Sequence, residues 1–159
     1  MSYDFNADDV FEMAEQIERN GSKFYRSAAE RDFLRPDEKE MLLELARMED
    51  QHEKVFQSMR TELSADEKAP TVFDPNGEAA LYLRALADIR VFFEKSIDTS
   101  SLTAILKNAI EAEKDSIVFY LGMKSSVPES MGRGRLDEII KEEMGHIRLL
   151  SQKLVAAKG

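Results

Sequence analysis

Apolar residues recur at steps of three and four through four long stretches of this 159-residue chain, the spacing of helices that turn one face inward. The first stretch, from about Ala7 to Glu30, carries Phe11, Ala14, Gly21, Tyr25 and Ala28 on that face. The second, Pro36 to Glu62, carries Leu42, Leu45, Phe56 and Met59; the third, Leu102 to Ser125, carries Leu106, Ala109, Ser116, Tyr120 and Met123. The fourth, Leu136 to Ala157, carries Leu136, Ile139, Leu150 and Leu154. Helix punctuation agrees with these limits. Pro36 suits a first helical turn, where its missing N–H costs no hydrogen bond. The run DTSS before Leu102 offers several N-caps, and VPESMGRGR reads as a turn in which Arg133 to Arg135 are solvated. Between the second and third long helices, LSADEKAPTVFDPNGE is irregular and leads into a shorter apolar stretch over 78–95. No segment signals a strand. The expectation is an all-α fold of two helical hairpins, joined by a long crossover with an additional short helix, in a single domain over 1–159.

Each inward stripe is broken near its middle by a carboxylate: Glu18, Glu49, Glu113 and Glu143. The chain has two histidines, and each follows one of these glutamates by three residues, as Glu49-x-x-His52 and Glu143-x-x-His146. On a helix that spacing places both side chains on one face. The other two glutamates are each followed seven positions later by a tyrosine, Tyr25 and Tyr120. Glu18 precedes Glu49 by 31 residues and Glu113 precedes Glu143 by 30, so the chain reads as one hairpin design used twice. Folding the hairpins together brings four carboxylates and two imidazoles to one height in an apolar interior. Burying such ions costs on the order of several kcal/mol each unless they are compensated. Two divalent cations supply four positive charges against four negative ones. Oxygen and nitrogen donors together suit iron or manganese. A solvated surface Glu–His pair would explain one such motif, but not four glutamates in four core stripes. Glu111 and Glu142 flank the candidate ligands on other faces and read as solvated, with Glu142–His146 an alternative surface pair. The eight methionines read as ordinary packing, Met48, Met123 and Met144 among them.

Composition narrows the possibilities further. A formal net charge of -9 argues against a nucleic-acid surface. The absence of cysteine excludes disulfides, zinc–thiolate sites, iron–sulfur clusters and thiol catalysis from these residues. The apolar runs are too short to cross a bilayer. The opening MSYDFNADDV has neither a basic n-region nor an apolar h-region, so a cytoplasmic protein is expected.

Glu on two helices with Glu-x-x-His on two others is the ferritin-like di-metal pattern. More narrowly, the chain resembles the di-iron domain of the rubrerythrins in EQIERNGSKFY around Glu18, MEDQHEKVF around Glu49 and His52, EAEKDSIVFY around Glu113, and EEMGHIRLL around Glu143 and His146. The resemblance implies a ferritin-like four-helix bundle holding two iron ions, with manganese an alternative. Glu18 and Glu113 would be terminal ligands and Glu49 and Glu143 would bridge or cap. His52 and His146 would each bind one metal, and Tyr25 and Tyr120 would hydrogen-bond ligand carboxylates. It further implies a homodimer, and an oxidoreductase whose reduced centre reacts with hydrogen peroxide or dioxygen. Two departures stand out. Peroxidase rubrerythrins carry a second glutamate three residues after the first on the third helix, where this chain has Ser116. They also commonly carry a cysteine-ligated rubredoxin domain, so electrons are expected here from a separate donor protein. Two alternatives stay open: an iron-handling ferroxidase, and a bundle with structural metals that serves as an interaction module.

Overall fold

The structure, a computed structural model, describes residues 7–63, 81, 97–126 and 133–158. Four long helices account for most of them: α1 (Ala7–Ala29), α2 (Pro36–Thr61), α3 (Leu102–Ser126) and α4 (Arg133–Lys158). No strand occurs among the described residues. The short helix expected over 78–95 lies outside the described residues, apart from Leu81.

Local chemistry sets the helix ends. Asp8 and Asp9 occupy the first turn of α1 and Arg26 its last turn, each matching the sign of the helix dipole there. Pro36 opens α2, and the Glu38 carboxylate reaches back to accept the Arg35 backbone N–H at 2.9 Å. Ser101 caps α3, its hydroxyl oxygen accepting the Ala104 N–H at 3.1 Å. At the start of α4 the sequence expectation needs correction. Arg133 to Arg135 form the first helical turn instead of a solvated loop, and α4 begins three residues before Leu136. Gly134 meets no steric demand there, and the Arg135 guanidinium is held by the Glu62 carboxylate at the end of α2, at 2.6 Å.

The closest packing lies within the hairpins, α1 against α2 and α3 against α4; α1 also touches α3, and α2 touches α4. The inward stripes are the core. Every residue assigned to them is buried except Leu154, which is partly buried. Phe11, Ile17, Leu42, Leu45, Phe56, Ile105, Leu106 and Phe119 are wholly enclosed, and each large apolar side chain so buried stabilises the fold by about 1.5–3 kcal/mol. Charged side chains clasp the outside: Arg60 binds Asp8 and Glu15, Arg26 binds Asp50, and Lys153 binds Asp37. Pairs as exposed as Arg26–Asp50 add little stability individually. The apolar layers hold the helices in register, and that register decides what meets at mid-height.

Candidate metal centre

Each helix delivers one glutamate to the axis: Glu18 from α1, Glu49 from α2, Glu113 from α3 and Glu143 from α4. All are 3 % exposed or less, as are His52 and His146. Their donor atoms fall into two overlapping groups. Glu18, Glu49, His52 and Glu143 form one; Glu49, Glu113, Glu143 and His146 form the other. Within each group the four donor atoms lie within 4.8 Å of one another. Glu49 and Glu143 belong to both, while Glu18 with His52 and Glu113 with His146 stand on opposite sides. The two imidazoles lie nearly parallel, 17° apart, with ring centres separated by 5.8 Å. All six sequence candidates therefore converge.

Both histidines turn Nδ1 to the centre. His52 Nδ1 lies 3.0 Å from Glu143 Oε1 and 3.4 Å from Glu18 Oε2. His146 Nδ1 lies 3.1 Å from Glu143 Oε2 and 3.3 Å from both Glu49 Oε1 and Glu113 Oε1. The tyrosines cross between hairpins. Tyr25, on the helix of Glu18, donates its hydroxyl to Glu113 Oε1 at 2.5 Å; Tyr120, on the helix of Glu113, donates to Glu18 Oε1 at 2.5 Å. Burial foremost, and then the surrounding carboxylates, push both phenols well above their ordinary value of 10.0, which keeps them donors.

Desolvation, and then repulsion from Glu143, Glu18 and Glu113, push Glu49 well above the usual carboxylate range. Glu113 is pushed up to about 8, by burial first and then by Glu143. Burial opposes a charged imidazole, but the carboxylates of Glu143 and Glu18 outweigh it and raise His52 to about 11. Glu113 and Glu143 likewise raise His146 to about 10. The protein's own groups thus gather protons where negative charge is crowded.

Three features of the surroundings were not legible in the motifs. Glu142, read from sequence as solvated or as a partner of His146, instead meets Nε2 of His52 at 2.6 Å across the α2–α4 interface. Its side chain is half exposed, so one end is wet and the other is engaged. Position was the available signal, since the residue preceding a core glutamate flanks the inward stripe and can reach the neighbouring helix. Gly21 lies directly against Glu49: a Cβ there would stand 3.4 Å from Glu49 Oε2, in ordinary contact. An open pocket of about 400 Å³ between α2 and α4 is walled by Met41, Leu45, Met48, Gly145 and Leu149 together with Glu44, Glu142 and His146. Glu111, as expected, is exposed and pairs with Lys114 at 3.2 Å. Met123 is core, whereas Met144 is 53 % exposed.

The donor atoms themselves test the fit to metal. Glu18 Oε2, Glu49 Oε1, Glu143 Oε2 and both ring nitrogens of His146 are buried without a hydrogen-bond partner. Buried polar atoms are ordinarily paired, and here five unpaired ones cluster within ligand reach of one another. Oxygen and imidazole donors of this kind fit two hard-to-borderline divalent cations.

A family model described as Rubrerythrin matches residues 9–154. The chain belongs to the rubrerythrin family. A crystal structure of a ferritin-like diiron-carboxylate protein from Thermotoga maritima is similar, with 26 % identity and a TM-score of 0.71 over 96 % of this chain and 97 % of that one. Among curated proteins, none matches. The rubrerythrin-family fold is thus a ferritin-like bundle with a buried carboxylate–histidine cluster of di-iron type. Among the described residues no helix is long and apolar enough to cross a membrane.

Proposed function

We propose that this rubrerythrin-family chain, folded as one domain, is a di-iron oxidoreductase that reduces hydrogen peroxide or dioxygen with electrons from a separate donor protein. One observation carries the reading: two four-residue groups share Glu49 and Glu143 and contain buried donor atoms without a hydrogen-bond partner. On this reading Glu18 and His52 serve one ion, Glu113 and His146 the other, and Glu49 and Glu143 both. An iron pair held there would supply the two electrons that, with two protons, reduce one hydrogen peroxide to two waters. The chain's own part is positional. Tyr25 and Tyr120 hold Glu113 and Glu18 by Oε1 in each case; Glu18 then turns Oε2 to His52, while Glu113 Oε1 faces both Tyr25 and His146. The apolar layers of Phe56, Leu45, Leu106 and Met123 keep bulk water from the axis. The pocket between α2 and α4 gives a small oxidant a way to His146.

Ser116 favours a second reading. Its buried hydroxyl donates to the Ala112 carbonyl at 3.0 Å and offers no ligand where peroxidase relatives carry a glutamate. In that reading the centre oxidises iron(II) as substrate and passes it on. Anaerobic loading with two iron(II) per chain, followed by peroxide titration, separates the two. Rapid, stoichiometric oxidation by one peroxide per centre, with re-reduction by an added donor, supports the oxidoreductase. Repeated turnover of excess iron(II) without a reductant supports iron handling. Failure to retain two ions per chain overturns both.

A further inference from the structure

The two hairpins repeat each other closely, but not at the residue that precedes each Glu-x-x-His. In α4 it is Glu142; in α2 it is Met48. The consequence is visible at the imidazoles. His52 has Glu142 Oε2 at 2.6 Å from Nε2, while its Nδ1 faces Glu18 and Glu143. His146 presents Nδ1 to the centre in the same way, but its Nε2 is buried with no hydrogen-bond partner. The side chain that corresponds to Glu142 is the Met48 thioether, which with His146 walls the apolar pocket. A carboxylate that accepts the outer N–H of a ligating histidine fixes its tautomer and orientation and makes the inner nitrogen a better donor. A thioether does neither.

We propose that Glu142 makes the two metal positions unequal: the position served by His52 binds first and more tightly, and the position served by His146, beside the pocket, binds second and exchanges faster. The inference rests on reading the six residues as ligands. Glu142 is a positioning residue that acts through His52. Its half-exposed carboxylate can be removed without opening the core.

Cobalt(II), whose visible absorption reports its ligand field, is the probe. Titrated anaerobically into the metal-free protein, it is expected to bind in two resolved steps. A chelator added afterwards is expected to remove one ion quickly and the other slowly. Glu142→Ala should weaken the tight step about 10- to 100-fold and leave the weak step in place. Glu142→Gln, which still accepts the N–H but lacks the charge, should recover part of that loss. Met48→Glu supplies the missing carboxylate to His146 and should tighten the weak step, a gain that no merely structural role for these residues produces. Two equal steps in the native protein, or step constants unmoved by both Glu142→Ala and Met48→Glu, would overturn this inference alone. Failure to bind cobalt(II) at all would overturn the metal-site reading and this inference with it.

Discussion

Gly21 faces Glu49 across the α1–α2 interface, and a methyl group built on it would stand 3.4 Å from Oε2 and 3.5 Å from the carboxyl carbon. That is ordinary contact. Gly21→Ala is therefore expected to keep two ions per chain while gaining about 0.8–1.0 kcal/mol from the better helix former, read as a higher melting temperature of the metal-free protein. Gly21→Leu fills the space that Glu49 occupies, and metal content should fall well below two ions. At the tyrosines, a single oxygen decides the outcome. Tyr25→Phe and Tyr120→Phe leave ring packing intact but release Glu113 and Glu18, and each is expected to lower metal affinity about 10-fold or more; equilibrium titration with cobalt(II) checks it. That Glu18, Glu49, His52, Glu113, Glu143 and His146 and both tyrosines face inward was legible from spacing, because helical periodicity alone fixes which face a residue occupies. The contact of Glu142 was not, since its partner lies 90 positions away on a helix whose azimuth only packing determines.

Helix ends divide in the same way between local and non-local causes. Pro36, Glu38 and Ser101 act within a turn of themselves, and α2 and α3 begin where those residues place them. Arg133 to Arg135 carry no local start signal, and Gly134 between them reads as a turn residue. Within the first turn of α4 Arg135 reaches the far hairpin at Glu62, a contact no local motif announces. The cap on α3 gives a direct check. Ser101→Ala leaves the Ala104 N–H without its side-chain acceptor and is expected to cost about 1 kcal/mol, lowering the melting temperature by roughly 2–4 °C. Two ions per chain should still bind, because Glu113 lies three turns further along α3 and is held by Tyr25. A loss of metal in Ser101→Ala would mean that the height of Glu113 is set from the helix start and not by the core layers.

Across the whole molecule, protons and cations compete for the same crowded negative charge. In the metal-free protein Glu49, Glu113, His52 and His146 all have folded-state values above their ordinary ones: well above 4.5 for Glu49, about 8 for Glu113, and about 11 and 10 for the histidines against 6.5. A group whose value is raised by folding binds its proton more tightly in the folded chain. Its stabilising contribution is complete below the unfolded value and is lost as pH rises through the folded one. For Glu113 that window runs from about 4.5 to about 8, and for the histidines from 6.5 to about 10 or 11. Metal-free protein should therefore melt at progressively lower temperature between pH 5 and pH 10, within the windows that Glu113, His52 and His146 set. The loaded protein should show no such decline, because cations replace the protons. The two melting curves are expected to diverge as pH rises. The same exchange requires that loading at pH 7 release about three protons per two ions, one each from Glu113, His52 and His146, whose values lie above 7, and fewer above the Glu113 value. Calorimetric titration in buffers of differing ionisation enthalpy counts them. Release of fewer than about two protons, or a metal-free protein that grows more stable toward pH 9, would mean that the buried charge is not balanced by protons at Glu113, His52 and His146.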